Sequence, residues 1–257
     1  MSSPIRHHLL AETNWETVKD TQYDVAVLPW GATEAHNYHL PYATDNYQVE
    51  YVADKAAALA WKDGAKVIVL PAIPYGVNTG QLDIKLCMNL MPSTQMAILK
   101  DVCDVLQRHN ISKLVILNGH GGNNFVSIIR ELNPNFPSLF ICAVNWYQAT
   151  AREGIIEKPG DHADEMETSV MMHIAPQLVL SLDHAGDGAE KKYSLKGFKE
   201  KWAWAPRPWT KISKDTGTGD PSLATALKGE QFVNATISNI AEFLGDISRS
   251  NIDDLLQ

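Results

Sequence analysis

Short apolar runs alternate with segments of helical periodicity along most of this chain, and this alternation restricts its possible folds most strongly. Apolar runs of about four to eight residues are typical of buried strands, whereas apolar residues three and four positions apart are typical of helices. Strands separated by helices form βαβ units, which build a mostly parallel sheet between helical layers. The sequence therefore predicts an α/β fold, a three-layer α/β/α sandwich, as a single domain over residues 1–257.

The predicted elements follow one another from residue 24 to residue 247. Ser93 is the predicted N-cap of the second long helix. Residues 183–222 are rich in Gly, Lys, Trp and Pro and predict a long excursion of loops. The predicted strands are 24–30, 65–73, 84–90, 113–117 and 139–146, and the predicted helices are 46–61, 93–109, 124–132, 164–175 and 223–247.

The charge and composition argue against several classes of protein. The formal net charge is −8, whereas a nucleic-acid-binding protein usually has a basic stripe. No apolar run reaches the roughly 18 residues of a membrane span, and the N-terminus lacks the apolar stretch of a secretory signal. The three cysteines are widely spaced, which favours free thiols in a reducing compartment. We therefore expect a cytoplasmic protein that binds neither nucleic acid nor membrane.

A first cluster of polar residues comes directly after the first predicted strand. Glu34, His36, His39 and Asp45 lie close together there, and carboxylate and imidazole are ligands that divalent metals accept. Loops beyond the carboxyl ends of parallel strands also commonly bind ligands. Asp45 could bridge two cations or merely cap the helix that follows, and His39 could orient a ligand. The cluster predicts metal-assisted chemistry.

A second cluster, Asn-Gly-His-Gly-Gly-Asn-Asn at 118–124, lies between a predicted strand and a helix. Its glycines would let backbone amides approach a ligand, and a helix N-terminus favours an oxyanion. His120 is thus a candidate metal ligand, or an incidental residue in a tight turn. Gly121 and Gly122 are candidates for substrate binding. Asn78 could face the same opening or form an ordinary turn.

A third cluster contains Asp161, His162 and three further acidic residues in the segment up to residue 169. Glu167 shares a helical face with apolar residues, where a carboxylate is costly unless it is paired or bound to a metal. Glu165 points elsewhere on the same helix. The alternative is that these acidic residues simply favour the positive end of the helix, which explains Glu165 better than Glu167.

Together the three clusters resemble the creatininase (creatinine amidohydrolase) family, in the expected order and over most of the chain. The resemblance implies an α/β/α sandwich with two divalent metal ions (Zn, Mn or Fe). It also implies cleavage of a C–N bond in an amide or cyclic amide by a homo-oligomer, often a hexamer. The matching segments are Gly-Ala-Thr-Glu-Ala-His at 31–36 with His-Leu-Pro at 39–41, Asn-Gly-His-Gly-Gly-Asn at 118–123, His-Ala-Asp-Glu-Met-Glu-Thr-Ser at 162–169 and Gly-Thr-Gly-Asp-Pro at 217–221.

The resemblance also assigns roles to single residues. Glu34, His36, Asp45 and His120 fall on metal ligands, with Asp45 bridging, and His162 falls on a histidine near the reacting centre.

One position departs from the family pattern. Creatininase has a further carboxylate ligand two residues after the histidine that matches His120, and this chain has Gly122 there. Glu167 or Glu165 would supply the missing carboxylate. Deformylase-like and peptide-trimming relatives share the Gly-His-Gly-Gly pattern, so we expect a family member other than creatininase itself.

The predicted reaction is hydrolysis of a small amide substrate by a metal-activated water. Amides around Gly121 and Gly122 would stabilise the oxyanion, and His162, oriented by Asp161, would protonate the leaving nitrogen. The alternatives are a formamide or peptide hydrolase with one Fe or Zn, and a catalytically idle member that acts as a binding subunit. Four tryptophans are candidates for the pocket wall: Trp146, Trp202, Trp204 and Trp209.

Overall fold

The computed structural model describes residues 5–255 and contains one four-stranded sheet in that range. The strand order is β2-β1-β3-β4, and every neighbouring pair is parallel. This arrangement confirms the predicted parallel sheet. The strands are β1 (Val25–Trp30), β2 (Val67–Val69), β3 (Lys113–Asn118) and β4 (Phe140–Asn145).

Helices cover both faces of the sheet, which confirms the three-layer α/β/α fold. Val25 and Val27 of β1 pack in one core with α2, α5 and α8, whereas Ala26 and Leu28 pack in a second core with α3 and α4. Successive strand residues point to opposite faces, so both faces of β1 are buried. The helices are α1 (Trp15–Val18), α2 (Thr44–Lys62), α3 (Pro92–Arg108), α4 (Phe125–Leu132), α5 (Glu165–Ile174), α6 (Lys196–Lys199), α7 (Trp209–Ile212) and α8 (Ala226–Arg249).

Two local predictions were wrong. Residues 84–90 form turns and loop instead of a strand, because Leu86 adopts a left-handed backbone conformation (φ 63°) that interrupts an extended segment. Ser93 does not cap α3, since that helix begins one residue earlier at Pro92. Proline suits a first helical position because the N–H that it lacks would have no partner there.

The region 183–222 is largely loop, as predicted, and α6 and α7 are its short helices. Residues 1–4 and 256–257 of the predicted single domain lie outside the described range. Within the range 5–255, none of the helices combines the length and the apolar character needed to cross a membrane.

The sheet register brings the polar clusters to one edge. Trp30 and Asn118, the last residues of β1 and β3, are register partners, and Asn118 also pairs with Asn145 at the end of β4. The loops that follow β1 and β3 therefore begin side by side. This edge is where an α/β sheet commonly binds its ligands.

Candidate metal centre

Asp45 lies between two of the predicted histidine ligands. Its Oδ1 atom is 3.0 Å from Nε2 of His36, and its Oδ2 atom is 3.1 Å from Nδ1 of His120. Asp45 does not cap α2, because Ala43 occupies the N-cap position without a side-chain hydrogen bond. The buried carboxylate therefore faces the cluster instead of the helix end.

Three histidines of the cluster share one pattern of contacts. In each, one ring nitrogen contacts a backbone carbonyl: Nδ1 of His36 contacts Glu34 at 3.1 Å, Nε2 of His120 contacts Val77 at 3.1 Å and Nε2 of His162 contacts Ala35 at 2.8 Å. A carbonyl only accepts hydrogen bonds, so the nitrogen facing it carries the proton. The opposite nitrogen of each ring points to the carboxylates. In a neutral ring this nitrogen would carry the lone pair that a metal ion accepts, which is how metal-binding histidines are usually oriented.

Glu34 is the fully buried carboxylate that two of these rings face. Its Oε1 atom lies 2.9 Å from Nδ1 of His120 and 3.6 Å from Nδ1 of His162. Gln81 donates a hydrogen bond to its other oxygen. Among residues 5–255, neither Oε1 of Glu34 nor Oδ2 of Asp45 has a partner with hydrogen-bond geometry. Buried carboxylate oxygens without a donor are costly, and a cation would satisfy them.

The third cluster contributes Glu167 and not Glu165. Oε2 of Glu167 accepts a hydrogen bond from the backbone N–H of Ala163 at 2.6 Å and lies 3.9 Å from Nε2 of His36. Glu165 is turned away, because its carboxylate accepts hydrogen bonds from Lys228 and from the backbone N–H of Lys158. Asp164 caps α5 by accepting from the N–H of Glu167.

The geometry at Gly122 explains why no carboxylate occurs there. A Cβ atom at this position would collide with the His120 ring and with the carbonyl oxygen of Val77. Every residue other than glycine would therefore displace His120. The third carboxylate of this cluster comes instead from Glu167 of α5.

The charges of the cluster influence one another strongly. Burial alone would lower the pKa of His36, but Asp45, Glu167 and Glu34 raise it to about 10. Burial raises the pKa of Glu167 to about 8, helped by the negative charge of Asp45. Burial would also raise the pKa of Asp45, but His36 and His120 lower it below its ordinary range. The carboxylates thus attract positive charge, which protons or metal cations can supply.

The ligand atoms form overlapping sets that could hold metal ions. In each set, one donor atom per residue lies within 4.8 Å of the others. Asp45 belongs to two sets, so its carboxylate could lie between two cations. The donor chemistry, oxygen and imidazole nitrogen, fits Zn, Mn or Fe. The sets are Glu34, Asp45 and His120; His36, Asp45 and Glu167; and Glu34, His36 and His162.

A cavity of about 490 Å³ opens onto this cluster. Asn78, Gly121 and Gly122 line it, together with Trp204 and Trp209. The amide of Asn78 is partly engaged, since its Nδ2 donates to the carbonyl of Met88. The cavity therefore contains three of the four predicted substrate-binding residues.

The predicted role of Trp146 was wrong. Trp146 is only 1% exposed and packs edge-on against Phe232 in the core under α8, because it follows β4 directly and points into that layer. Trp202 does not line the cavity either, as its ring lies against Gly197. Trp204 and Trp209 are the two tryptophans at the cavity.

Asp161 does not orient His162, contrary to prediction. The Asp161 side chain is 57% exposed and pairs with Arg207 at 2.5 Å. The His162 ring is held instead by the Ala35 carbonyl and by stacking against the His36 ring, with centroids 4.1 Å apart.

Two residues next to the cluster were not predicted from the sequence. Gln81 binds Glu34, and Cys87 donates a hydrogen bond to Gln81 while accepting one from the backbone N–H of Ala35. Gln81 ends a short 3-10 helix (Thr79–Gln81), and Cys87 lies in the segment that was wrongly predicted as a strand, so the sequence contains no signal for these contacts. His39, by contrast, contacts Thr168 of α5 at 2.9 Å and supports the helix that carries Glu167.

Comparisons with known proteins identify relatives of this chain. The sequence matches the Creatininase family, described as creatinine amidohydrolase, over residues 11–244. A crystal structure of a Bacteroides fragilis protein assigned as a creatinine amidohydrolase is 41% identical, with a TM-score of 0.90 over 96% of this chain and 98% of that one. A creatininase structure described as the Mn form shares the fold at 21% identity, with a TM-score of 0.70 over 95% and 99% of the two chains.

A further relative has a different activity. The mycofactocin precursor peptide peptidase of Mycobacterium tuberculosis strain H37Rv is 27% identical over 83% of this chain and 81% of that protein. The named activities of these relatives are hydrolytic, and the family match spans nearly the whole chain. The chain therefore belongs to the creatininase family of hydrolases.

Proposed function

We propose that this protein is a metal-dependent amidohydrolase that cleaves a C–N bond of a small amide or cyclic amide. One observation supports this most strongly: His36, His120 and His162 each give one ring nitrogen to a backbone carbonyl and turn the other toward buried carboxylates. Such preset histidine orientation is characteristic of metal sites and has no evident purpose in a purely structural cluster.

The residues divide into two proposed ligand sets. Glu34, Asp45 and His120 would hold one cation, and His36, Asp45 and Glu167 would hold the other. Zn, Mn and Fe are the candidate ions. When bound, two such cations would lower the pKa of a shared water and polarise the substrate carbonyl.

The chain's own groups can perform the remaining steps. Among the described residues, no acceptor is found for the backbone N–H groups of Gly121 and Gly122, although both glycines line the cavity. These two groups are available to stabilise a developing oxyanion. They would also orient the substrate carbonyl above the carboxylates.

His162 is the proposed proton donor to the leaving nitrogen. Burial lowers its pKa, and the nearby positive charge of His36 lowers it further. A neutral ring at neutral pH could accept at Nδ1, beside Glu34, the proton that the attacking water loses, and then pass it to the leaving nitrogen. Its position at the cavity wall gives it access to a bound amide.

A hydrolase of short peptides or formamides with one Fe or Zn is the second candidate. The peptidase activity of a 27% identical relative supports it, and Glu34, His36 and His162 form a set that could hold a single ion. For either reaction we propose that the protein is cytoplasmic and forms a homo-oligomer. The family resemblance implies that this oligomer is often a hexamer.

The test begins with removal of metal by a chelator and reloading with Zn, Mn or Fe in separate samples. Metal content is measured by plasma mass spectrometry. Activity is measured against creatinine, other cyclic amides, N-formyl amides and short peptides. We expect about two ions per chain and hydrolysis that depends on reloading. One ion per chain would favour the second candidate.

His120→Ala is the variant for this test. It should lose metal and activity while the melting curve stays cooperative. Full metal content in this variant would remove His120 from the ligand set. Hydrolysis that survives complete removal of metal from the unaltered protein would contradict the proposed function.

A further inference from the structure

Arg207 lies at the wall of the cavity, at a distance along the chain from every proposed ligand. We propose that its guanidinium is a carboxylate subsite, so that the amide cleaved by this protein also bears a carboxylate group. This inference rests on the proposed function for its reaction and adds the class of substrate. Three observations support this inference: the contacts that hold Arg207, its ion pair with Asp161 and the charge of the segment that carries it.

Three contacts fix the position of the Arg207 region. The Arg207 carbonyl oxygen lies so close to Gly80 that a Cβ atom there would collide with it. The guanidinium carbon lies 4.8 Å from the centre of the Trp209 ring, and Tyr193 donates a hydrogen bond to the neighbouring Pro206 carbonyl at 2.7 Å. A guanidinium held in this way loses little freedom when it binds a ligand.

The present partner of Arg207 is itself a carboxylate. Nη1 of Arg207 lies 2.5 Å from Oδ2 of Asp161, which also lines the cavity. Arginine binds carboxylates through two parallel N–H groups, yet no other carboxylate contacts this guanidinium in the described part of the chain. Because both side chains are substantially exposed, a substrate carboxylate can displace Asp161 or share the guanidinium with it.

The segment of the chain that carries Arg207 is itself basic. Residues 186–217, which include the cavity wall around Arg207, contain seven lysines and one arginine against four acidic residues. The whole chain has the opposite balance, with 30 acidic and 22 basic residues. None of these lysines lines the cavity, so within the described wall Arg207 is the group that would attract an anion.

These features give the cavity wall two chemically different groups. Glu34, Asp45 and Glu167 attract cations, and Arg207 attracts anions. A substrate with an amide and a carboxylate would bind in one orientation, with its amide at the histidine cluster and its acid at Arg207. Asp161 then acts as a counter-ion that occupies Arg207 until substrate arrives.

The test compares two probes of nearly equal size, N-formylglycine and N-formylglycinamide. Their binding to Mn-loaded protein is measured by titration calorimetry. We expect the acid to bind the unaltered protein more tightly than the amide. Arg207→Gln should weaken binding of the acid by about ten- to hundredfold, since charge-assisted hydrogen bonds are lost. The same variant should change binding of the amide by no more than about twofold.

Two further variants sharpen the comparison. Asp161→Asn should tighten binding of the acid severalfold, because it removes the competing carboxylate. Lys211→Gln removes one positive charge from the same basic segment at a residue outside the cavity wall, and it should have a much smaller effect than Arg207→Gln. A cation can also bind a carboxylate, but that contribution is common to all variants and cancels in the comparison.

The inference would be overturned by equal binding of the two probes to the unaltered protein, or by equal weakening of both probes in Arg207→Gln. Arg207 would then only fix its loop in place. If Arg207→Gln does not fold, Arg207→Lys keeps the charge without the planar fork and should still lose most of the preference for the acid. A preference for the acid that depends on Arg207 would stand even if no amide were hydrolysed, so this result is separate from the test of the proposed function.

Discussion

The Oε2 atom of Glu167 lies 3.9 Å from Nε2 of His36, which brings an α5 side chain to the loop that follows β1. Gly122 lies on the other side of the cluster, where a Cβ atom would collide with His120. The cluster thus takes its third carboxylate from α5 and not from the loop that carries His120.

Glu167→Gln should lower metal content from about two ions to about one per chain, because the proposed set of His36, Asp45 and Glu167 loses its third ligand. Loss of one ligand typically weakens such a site by a factor of ten or more. The measurement is plasma mass spectrometry after loading with Mn and gel filtration.

Glu165→Gln is the matched control, since it makes the same chemical change two residues away. Glu165 is bound by Lys228 and by backbone N–H groups, so this variant should keep its metal. Equal metal loss in the two variants would contradict the assignment of Glu167 as a ligand.

Much of the fold could be predicted because its signals are local. The buried strands β1 and β3 are continuous apolar runs, and the helices between them have a clear period. The weak alternation of residues 84–90 was misleading, since those residues interact with the loop after β1: the N–H of Met88 donates to the carbonyl of Thr33. A short segment with such distant partners can alternate in sequence without forming a strand.

Residues of the candidate site could be predicted where their neighbours in the sequence decide which way the side chain points. Glu167 shares a face with apolar residues of α5, which favoured it as a ligand, but spacing alone left Glu165 open as the alternative. Asp161 adjoins His162 in sequence, but it binds Arg207 from a distant loop. The sequence around Trp146 does not indicate whether its ring lies in the core or at the cavity. Such long-range pairings need coordinates.

Gly122→Ala should weaken metal binding by about tenfold or more, because the added methyl group would displace the His120 ring from the carboxylates. The overall fold should persist, since the collision is confined to the cavity wall. Titration of metal-free protein with Mn, followed by paramagnetic resonance of the unbound ion, measures the affinity.

Gly121→Ala serves as the control for this prediction. A Cβ atom at Gly121 meets only the Tyr147 hydroxyl, at an ordinary 4.0 Å. Metal affinity should therefore change little in this variant. If Gly121→Ala and Gly122→Ala weaken binding equally, a collision with His120 is not the cause.

Asp45→Asn should lose both ions, because Asp45 belongs to both proposed ligand sets. Glu34→Gln alters the set that contains His120 but leaves the set of His36, Asp45 and Glu167 intact, so it should keep about one ion per chain. Metal analysis of the two variants under identical loading tests whether Asp45 is shared. Retention of one tightly bound ion by Asp45→Asn would argue against a bridging carboxylate.

The contact of Glu165 with Lys228 should make stability depend on pH. Burial would raise the pKa of Glu165, but the Lys228 ammonium and the N–H groups of Lys158 and Glu157 lower it below its ordinary value of 4.5. A group whose pKa is lower in the folded state stabilises the fold above its unfolded pKa. This contribution is therefore present at neutral pH and is lost as the pH falls below about 4.5 through the folded pKa.

Glu165→Gln should remove this dependence. At pH 7 we expect the variant to be less stable by about 1–3 kcal/mol, since hydrogen bonds to a buried carboxylate are lost. The difference from the unaltered protein should shrink as the pH is lowered from 5 toward 3, because protonation removes the same charge from Glu165. Urea unfolding of metal-free protein at several pH values measures both free energies. A difference that stays constant across this interval would mean that the charge of Glu165 does not stabilise the fold.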